Sequence, residues 1–152
     1  MTLEAYCESL NNQDLLNLAY QLCNQGLSIW ESYTLENNLT YRDTVVGMFH
    51  EVRPDLLRES VDYCGESIKQ NRTEKKKKFF EEFRDPVVAL QDLDWELPEN
   101  VEYIFYAVYN LMLGLEKRDR LTISIKQAAS GLEGIMTIEE IRYFIYASKS
   151  KN

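Results

Sequence analysis

The sequence contains a single histidine, His50, and this scarcity restricts the enzyme chemistry open to the chain. A hydrolase or transferase of the usual kind needs a base that titrates near neutral pH, and histidine supplies it most often. His50 stands beside Glu51 in a segment that we predict to be helical, and no serine or cysteine stands at an evident nucleophile elbow. We interpret His50 as a partly exposed structural residue and predict that the protein is not an enzyme.

Motifs for metals and cofactors are also missing. The three cysteines, Cys7, Cys23 and Cys64, are odd in number and show neither C-x-x-C nor Cys/His spacing, so neither a disulfide framework nor a zinc site is expected. We predict that all three fill the core as buried thiols. Phosphate loops of the forms GxxxxGKS/T and GxGxxG are absent, and no E-x-x-H spacing accompanies the carboxylates as a di-iron bundle requires. We therefore expect no cofactor and no metal.

Long apolar runs and a positive charge balance are lacking too. No stretch approaches the ~20 apolar residues that span a bilayer, and the N-terminus lacks a basic start followed by an apolar run, so we expect a soluble, cytoplasmic protein without membrane contact. The net charge of -8 argues against nucleic acid as a partner, because phosphate binding needs clustered cations. The lysines Lys75 to Lys78 are diluted by nearby glutamates, and we interpret them as a solvated face whose stems pass over Phe79 and Phe80.

Helical periodicity is what the sequence does contain. Apolar residues recur at spacings of three and four in almost every segment, and no segment sustains the alternation of a half-buried strand. A chain of 152 residues with 45% apolar content can build one hydrophobic core. We therefore predict a single all-α domain over residues 1–152, a bundle of about six to eight helices. The segment from Val101 to Leu115 is apolar or aromatic nearly all round, and we predict that it is the central helix.

Capping residues predict where the first and last helices begin. Thr2 is placed to cap a short first helix, and Thr137 with Glu140 forms a full capping box for the last one. Between them, an apolar stripe beginning at Leu15 runs up to Gly26 and resumes beyond it. Whether Gly26 ends that helix or only weakens it stays open at this stage.

Three further helix starts are predicted in the middle of the chain. Thr40 with Asp43 is a variant capping box, and the helix after it would carry an inner face of Val45, Met48, Phe49 and Val52. Thr73 is predicted to cap a helix that carries three phenylalanines. The pair Asp85 and Pro86 is predicted to be a fresh N-cap followed by the first helical residue.

The segment from Asp85 to Glu102 is the strongest functional signal, because it holds six acids and no lysine or arginine. The candidate partner-binding residues are Asp85, Asp92, Asp94, Trp95, Glu96, Glu99 and Glu102. One interpretation is a solubilising surface in which Trp95 caps the core. The other is a docking surface for a basic protein, in which the indole supplies buried area while the charge accelerates encounter and rejects wrong partners. Both interpretations stay open here.

A small, acidic, cytoplasmic helical chain with no catalytic set and an aromatic patch of one charge sign resembles the immunity proteins of bacterial toxin systems, including contact-dependent growth inhibition. This resemblance implies that the chain binds one cognate toxin domain, often a basic nuclease, and occludes its active site or substrate path. Asp92, Asp94 and Glu96 would pair with the toxin's lysines and arginines while Trp95 fills a pocket, and truncating such an anchor costs ~2 kcal/mol or more. The segments NLAYQLCNQGLSIWESY and NVEYIFYAVYNLMLGLEKRD are also similar in order to an uncharacterised family of small enterobacterial helical proteins, which implies a fold alone.

Two other functional classes remain open. The chain would be a non-enzymatic adaptor or regulator if the same surface bound a basic host protein, and gene context separates this from an immunity role, since an immunity gene lies directly downstream of its toxin gene. Alternatively, the tyrosine-rich central helix would line an internal pocket of a small-ligand-binding protein or enzyme, which ligand-dependent thermal stabilisation would reveal. The oligomeric state does not follow from the sequence.

Overall fold

The computed structural model describes residues 1–147, which form seven α-helices and one two-stranded antiparallel sheet. In chain order the elements are α1 (Leu3–Ser9), α2 (Asn12–Glu36), β1 (Thr40–Arg42), β2 (Phe49–Glu51), α3 (Leu56–Lys69), α4 (Lys77–Gln91), α5 (Glu99–Gly114), α6 (Arg118–Leu132) and α7 (Ile138–Ala147). The predicted all-α bundle of six to eight helices is confirmed, with the small sheet as an addition. None of the helices within residues 1–147 combines the length and apolar character needed to cross a membrane.

Helix α5 lies at the centre of the bundle, as its sequence predicts. It packs against α2, α3, α4 and α6. Ile104, Phe105, Val108 and Leu111 have no exposed surface, and each such side chain stabilises the fold by roughly 1.5–3 kcal/mol through burial. A helix that is apolar nearly all round needs neighbours on several sides, and the bundle provides them.

Helix α2 continues through Gly26, which answers the question that the sequence left open. A Cβ atom at Gly26 would lie 2.5 Å from Cδ1 of Ile104, and a Cβ at Gly131 of α6 would lie 2.6 Å from the same atom. Ile104 of α5 is therefore held between two helices at positions where only glycine leaves room. This close approach offsets the cost of about 1 kcal/mol that glycine carries inside a helix.

Replacing Gly26 by alanine is expected to destabilise the protein by roughly 1–3 kcal/mol, although alanine is the better helix former. The new methyl group overlaps Cδ1 of Ile104, and Gly131 leaves that atom little room to move away. Ile104→Val removes the overlapping carbon, so Gly26→Ala should cost less in that background. Urea denaturation of the four proteins measures this coupling, and equal costs in both backgrounds would contradict the packing described here.

The predicted caps of the first and last helices are present. The Thr2 hydroxyl accepts from the amide of Ala5 at 3.1 Å. The amide of Glu140 donates to the Thr137 hydroxyl, and the Glu140 carboxylate accepts from the amide of Thr137, both at 3.1 Å. These two local signals therefore set helix boundaries as the sequence indicates.

The three cysteines are buried free thiols, as predicted. Burial raises the pKa of Cys23 to about 12, while a contact with the Ser124 hydroxyl at 3.4 Å lowers it slightly. Thiols of this kind stay protonated near neutral pH and behave as small core residues.

Two predicted helix starts in the middle of the chain are wrong. Helix α4 begins at Lys77, after residues 72–76 that form no regular element, so Thr73 does not cap it. The helix then runs through Pro86, and Asp85 is an interior residue. Its buried residues are Phe79, Phe83, Pro86, Val87, Ala89 and Leu90. This stripe keeps helical spacing across the proline, and its burial outweighs the hydrogen bond that proline removes.

The predicted helix after Thr40 is also wrong, because this segment forms a β-hairpin. The register pairs Thr40 with Glu51, Tyr41 with His50, and Arg42 with Phe49. The connecting loop, residues 43–48, turns at Gly47, whose φ of 75° suits glycine. Of the four residues assigned to an inner helical face, only Val52 is buried, whereas Val45, Met48 and Phe49 are exposed. The spacing of these four residues fits a helix as well as it fits the hairpin, because the segment is too short for periodicity alone to distinguish the two.

Candidate functional site

Trp95 is a core residue, in agreement with the interpretation in which it caps the core. Only 6% of its surface is exposed to solvent. The centre of the indole lies 5.7 Å from the centre of the Phe105 ring, in an edge-to-face arrangement, and 5.9 Å from the centre of the Tyr41 ring. The indole thereby fixes the hairpin and the loop after α4 against the central helix. The expectation that Trp95 fills a pocket on a partner is wrong, because so little of its surface is available for contact in the folded protein.

Three of the predicted acids lie together. Asp85, Asp92 and Asp94 line a cleft of about 230 Å³ between the hairpin and the C-terminal half of α4, and we call it the hairpin cleft. The hairpin adds Asp43 to the same cleft, and the Thr44 hydroxyl donates to the Asp94 carboxylate at 3.4 Å. The other lining residues are Tyr41, Val45, His50, Val88 and Ala89. Four carboxylates from distant parts of the chain therefore converge on one small space.

The basic side chains near the hairpin cleft neutralise little of its charge. His50 stacks on Tyr41 at 5.2 Å, and its Nε2 lies 3.7 Å from Oδ2 of Asp43. Arg84 Nε lies 3.7 Å from Asp85 Oδ1, with both side chains mostly exposed, and such surface pairs contribute little. Among the described residues that line the cleft there is no lysine or arginine. The hairpin cleft therefore carries negative charge that attracts cationic groups.

Exposed apolar side chains occur on the segments that form the hairpin cleft, and we call them the apolar rim. They are Val45, Val46, Met48 and Phe49 on the hairpin, Val88 on α4, and Leu93 in the loop that follows α4. Val45 and Val88 line the cleft themselves, while Leu93 stands between two of its aspartates. Phe49 is 71% exposed and Leu93 76% exposed. A group of exposed apolar residues beside charge of one sign is typical of a protein-interaction surface.

The remaining predicted acids do not line the hairpin cleft. Glu96 is exposed in the loop before α5, while Glu99 and Glu102 stand in the first turn of α5, where negative charge stabilises the helix dipole. Burial raises the pKa of Glu102, and the neighbouring carboxylate of Glu99 raises it further. The candidate acids from the sequence thus divide into three that line the cleft, two at the start of α5 and Glu96 in the loop between them.

The hairpin, which the sequence did not predict, supplies Asp43, Thr44, Val45 and His50 to the cleft. A signal for it was present, since β-branched and aromatic residues stand on both sides of Gly47, as they do in a hairpin. His50 is partly exposed, as predicted, but it lies on a strand instead of a helix.

The lysine run behaves as its sequence predicts at two positions. Lys75 Nζ lies 4.5 Å from the centre of the Phe80 ring, and Lys76 Nζ lies 4.9 Å from that of Phe79. Lys75 Nζ also lies 3.9 Å from the Glu116 carboxylate. These ammonium groups therefore have local partners on the protein itself.

A second, larger groove of about 750 Å³ lies between the N-terminus, α6 and α7. Apart from Ile141 and Ile145, its lining residues are partly or fully exposed. A small-ligand site normally encloses most of its ligand, so this open groove does not favour the ligand-binding alternative. None of the acids predicted as site residues lines it.

Within residues 1–147, no group of three or more His, Cys, Asp or Glu side chains is arranged to hold a metal ion, so the four aspartates of the hairpin cleft are not a preformed metal site. No protein-family model, curated protein or solved structure matches the chain. The surface around the hairpin cleft is therefore the basis for a functional proposal.

Proposed function

We propose that the protein is an immunity protein, which binds a cognate basic toxin domain on the hairpin cleft and apolar rim and occludes the toxin's active site. The observation that carries the proposal is the convergence of four aspartates on one cleft, whose lining also includes the exposed apolar side chains of Val45 and Val88. Asp43, Asp85, Asp92 and Asp94 would face lysines and arginines that normally contact the toxin's substrate. The negative charge would then occupy the place of a phosphate.

The two components of the surface supply different parts of the interaction. Carboxylates around a cleft raise the association rate of a cationic protein and disfavour acidic ones. Exposed apolar side chains supply the contact area that slows dissociation once the complex has formed. An acidic surface without the apolar rim would bind cations weakly and without selection, whereas the combination supports one specific partner.

The chemistry of the hairpin cleft favours binding over catalysis. His50 and Asp43 form a contact that could orient a general base, but the hydroxyl on the adjoining loop, Thr44, donates to Asp94. Nucleophilic catalysis needs a hydroxyl or thiol in contact with the base, and the three cysteines are buried and none lines the cleft.

Coexpression with the product of the gene directly upstream tests the proposal. The C-terminal domain of that product is expected to arrest bacterial growth on its own, and growth should recover when this protein is present. The two proteins should copurify with a Kd in the nanomolar range, about -12 kcal/mol of binding free energy. An upstream product that binds but does not arrest growth would contradict the immunity role and support the adaptor alternative. Absence of binding would contradict both.

A further inference from the structure

Leu93 is held in a backbone conformation that leucine rarely adopts. Its φ is 60°, in the left-handed region, and its side chain is exposed. It follows Asp92, the C-cap of α4, and the amide of Asp94 donates to the carbonyl of Ala89 at 2.8 Å. This bond closes the end of the helix in the manner that normally places glycine where Leu93 stands. A residue with a Cβ atom is strained there.

Packing of the Leu93 side chain within the fold does not compensate for this backbone strain. The Leu93 side chain is 76% exposed and adds little to the core. Glycine at this position would end α4 with less strain and would remove an exposed apolar group. Strained backbone clusters at functional sites, ligand-binding sites among them, and here the neighbours on either side, Asp92 and Asp94, both line the hairpin cleft.

We propose that Leu93 is the apolar anchor and specificity determinant of this surface: it enters an apolar pocket of the basic partner while Asp92 and Asp94 pair with lysines or arginines at the edge of that pocket. The inference rests on the proposed immunity function and identifies how that surface selects its partner. Leu93 thereby takes the role that the resemblance to immunity proteins implies for Trp95. Phe49, another large exposed side chain of the rim, stands next to His50 on β2 and therefore faces away from the cleft, with Arg42 over its ring at 5.9 Å.

The negative charge of the hairpin cleft argues against a second copy of this chain as the partner that binds this surface. A two-fold symmetric dimer through this surface would bring two hairpin clefts together, each lined by four aspartates. Like charges facing each other oppose association, and the chain as a whole carries a net charge of -8. A cationic protein fits the same surface without this penalty.

Leu93→Gly separates folding from binding. Glycine relieves the backbone strain, so Tm should rise by about 2–4 °C, while affinity for the C-terminal domain of the upstream product should fall about tenfold or more. Leu93→Ala keeps the strain and removes the anchor, so it should lower affinity without raising Tm. Asn71→Gly is the matched control: Asn71 is exposed with a φ of 52° in the segment between α3 and α4, and its replacement should leave affinity unchanged.

Thermal unfolding and calorimetric titration of the four proteins give a clear set of outcomes. Weaker binding by both Leu93 variants, with a higher Tm for Leu93→Gly alone, supports the inference. Wild-type affinity in both Leu93 variants would contradict the anchor role of Leu93 but leave the immunity proposal standing. A wild-type protein that does not bind the upstream domain would contradict both proposals. A lower Tm for Leu93→Gly overturns the inference, and so does a wild-type dimer in light scattering that this variant abolishes.

Discussion

Trp95→Ala is expected to lower the free energy of unfolding by about 3–5 kcal/mol, the cost of removing a large aromatic side chain from a packed core. The indole lies between the Tyr41 ring of the hairpin and the Phe105 ring of the central helix. Its removal opens a cavity and also releases the hairpin, because Tyr41 loses a principal contact. Any loss of partner binding in this variant should therefore follow from disorder of the hairpin cleft.

Urea denaturation gives the stability of this variant, and Trp95→Phe serves as its control. Phenylalanine keeps an aromatic ring between Tyr41 and Phe105, so it should retain most of the affinity and cost less stability than alanine. The opposite pattern, wild-type stability in Trp95→Ala together with lost binding, would contradict the burial described here. It would restore Trp95 as a direct contact.

The parts of the fold that the sequence predicts well are those set by local rules or by a long pattern. The central helix α5 keeps apolar residues on nearly every side over four turns, and no other element can satisfy that pattern. The capping box of Thr137 and Glu140 predicts the start of α7, because both hydrogen bonds lie within four residues of sequence. The prediction of α5 succeeds because its apolar pattern is long, and that of the α7 start because its capping bonds are local in sequence.

The hairpin could not be predicted in the same way. Val45, Met48, Phe49 and Val52 stand at spacings of three, one and three, which a helix accommodates as readily as an irregular loop. The structure selects a hairpin because Tyr41 packs on Trp95, a contact between residues far apart in sequence. Tertiary packing of this kind overrides local propensity.

The candidate site is likewise predicted from the sequence only in part. The absence of cations between Asp85 and Glu102 correctly draws attention to the loop after α4. Charge pattern alone, however, does not tell an exposed indole from a buried one, so both interpretations of Trp95 stay open until its burial is known. Asp43 joins the cleft through folding of the hairpin, which the sequence did not predict.

Reversing the charge of the hairpin cleft should have the largest effect on binding. The double variant Asp92→Lys/Asp94→Lys is expected to weaken affinity for the upstream toxin domain by about 10²–10³-fold, roughly 3–4 kcal/mol, because two attractive charges become repulsive. The fold should tolerate these changes, since Asp92 is exposed at the C-terminal end of α4, where a cation interacts favourably with the helix dipole, and Asp94 loses only a long, exposed hydrogen bond from Thr44. Most of the effect at low salt should appear in the association rate.

The matched control is Glu8→Lys/Glu139→Lys, which changes the net charge by the same amount at two exposed residues outside the hairpin cleft. Association and dissociation rates of wild type and both double variants, measured against the upstream domain at low and physiological salt, test the central claim most directly. We predict that the control binds within a few-fold of wild type, whereas the cleft variant loses affinity and most of its salt dependence. Equal losses in both variants, or wild-type binding by the cleft variant, would contradict the assignment of this surface.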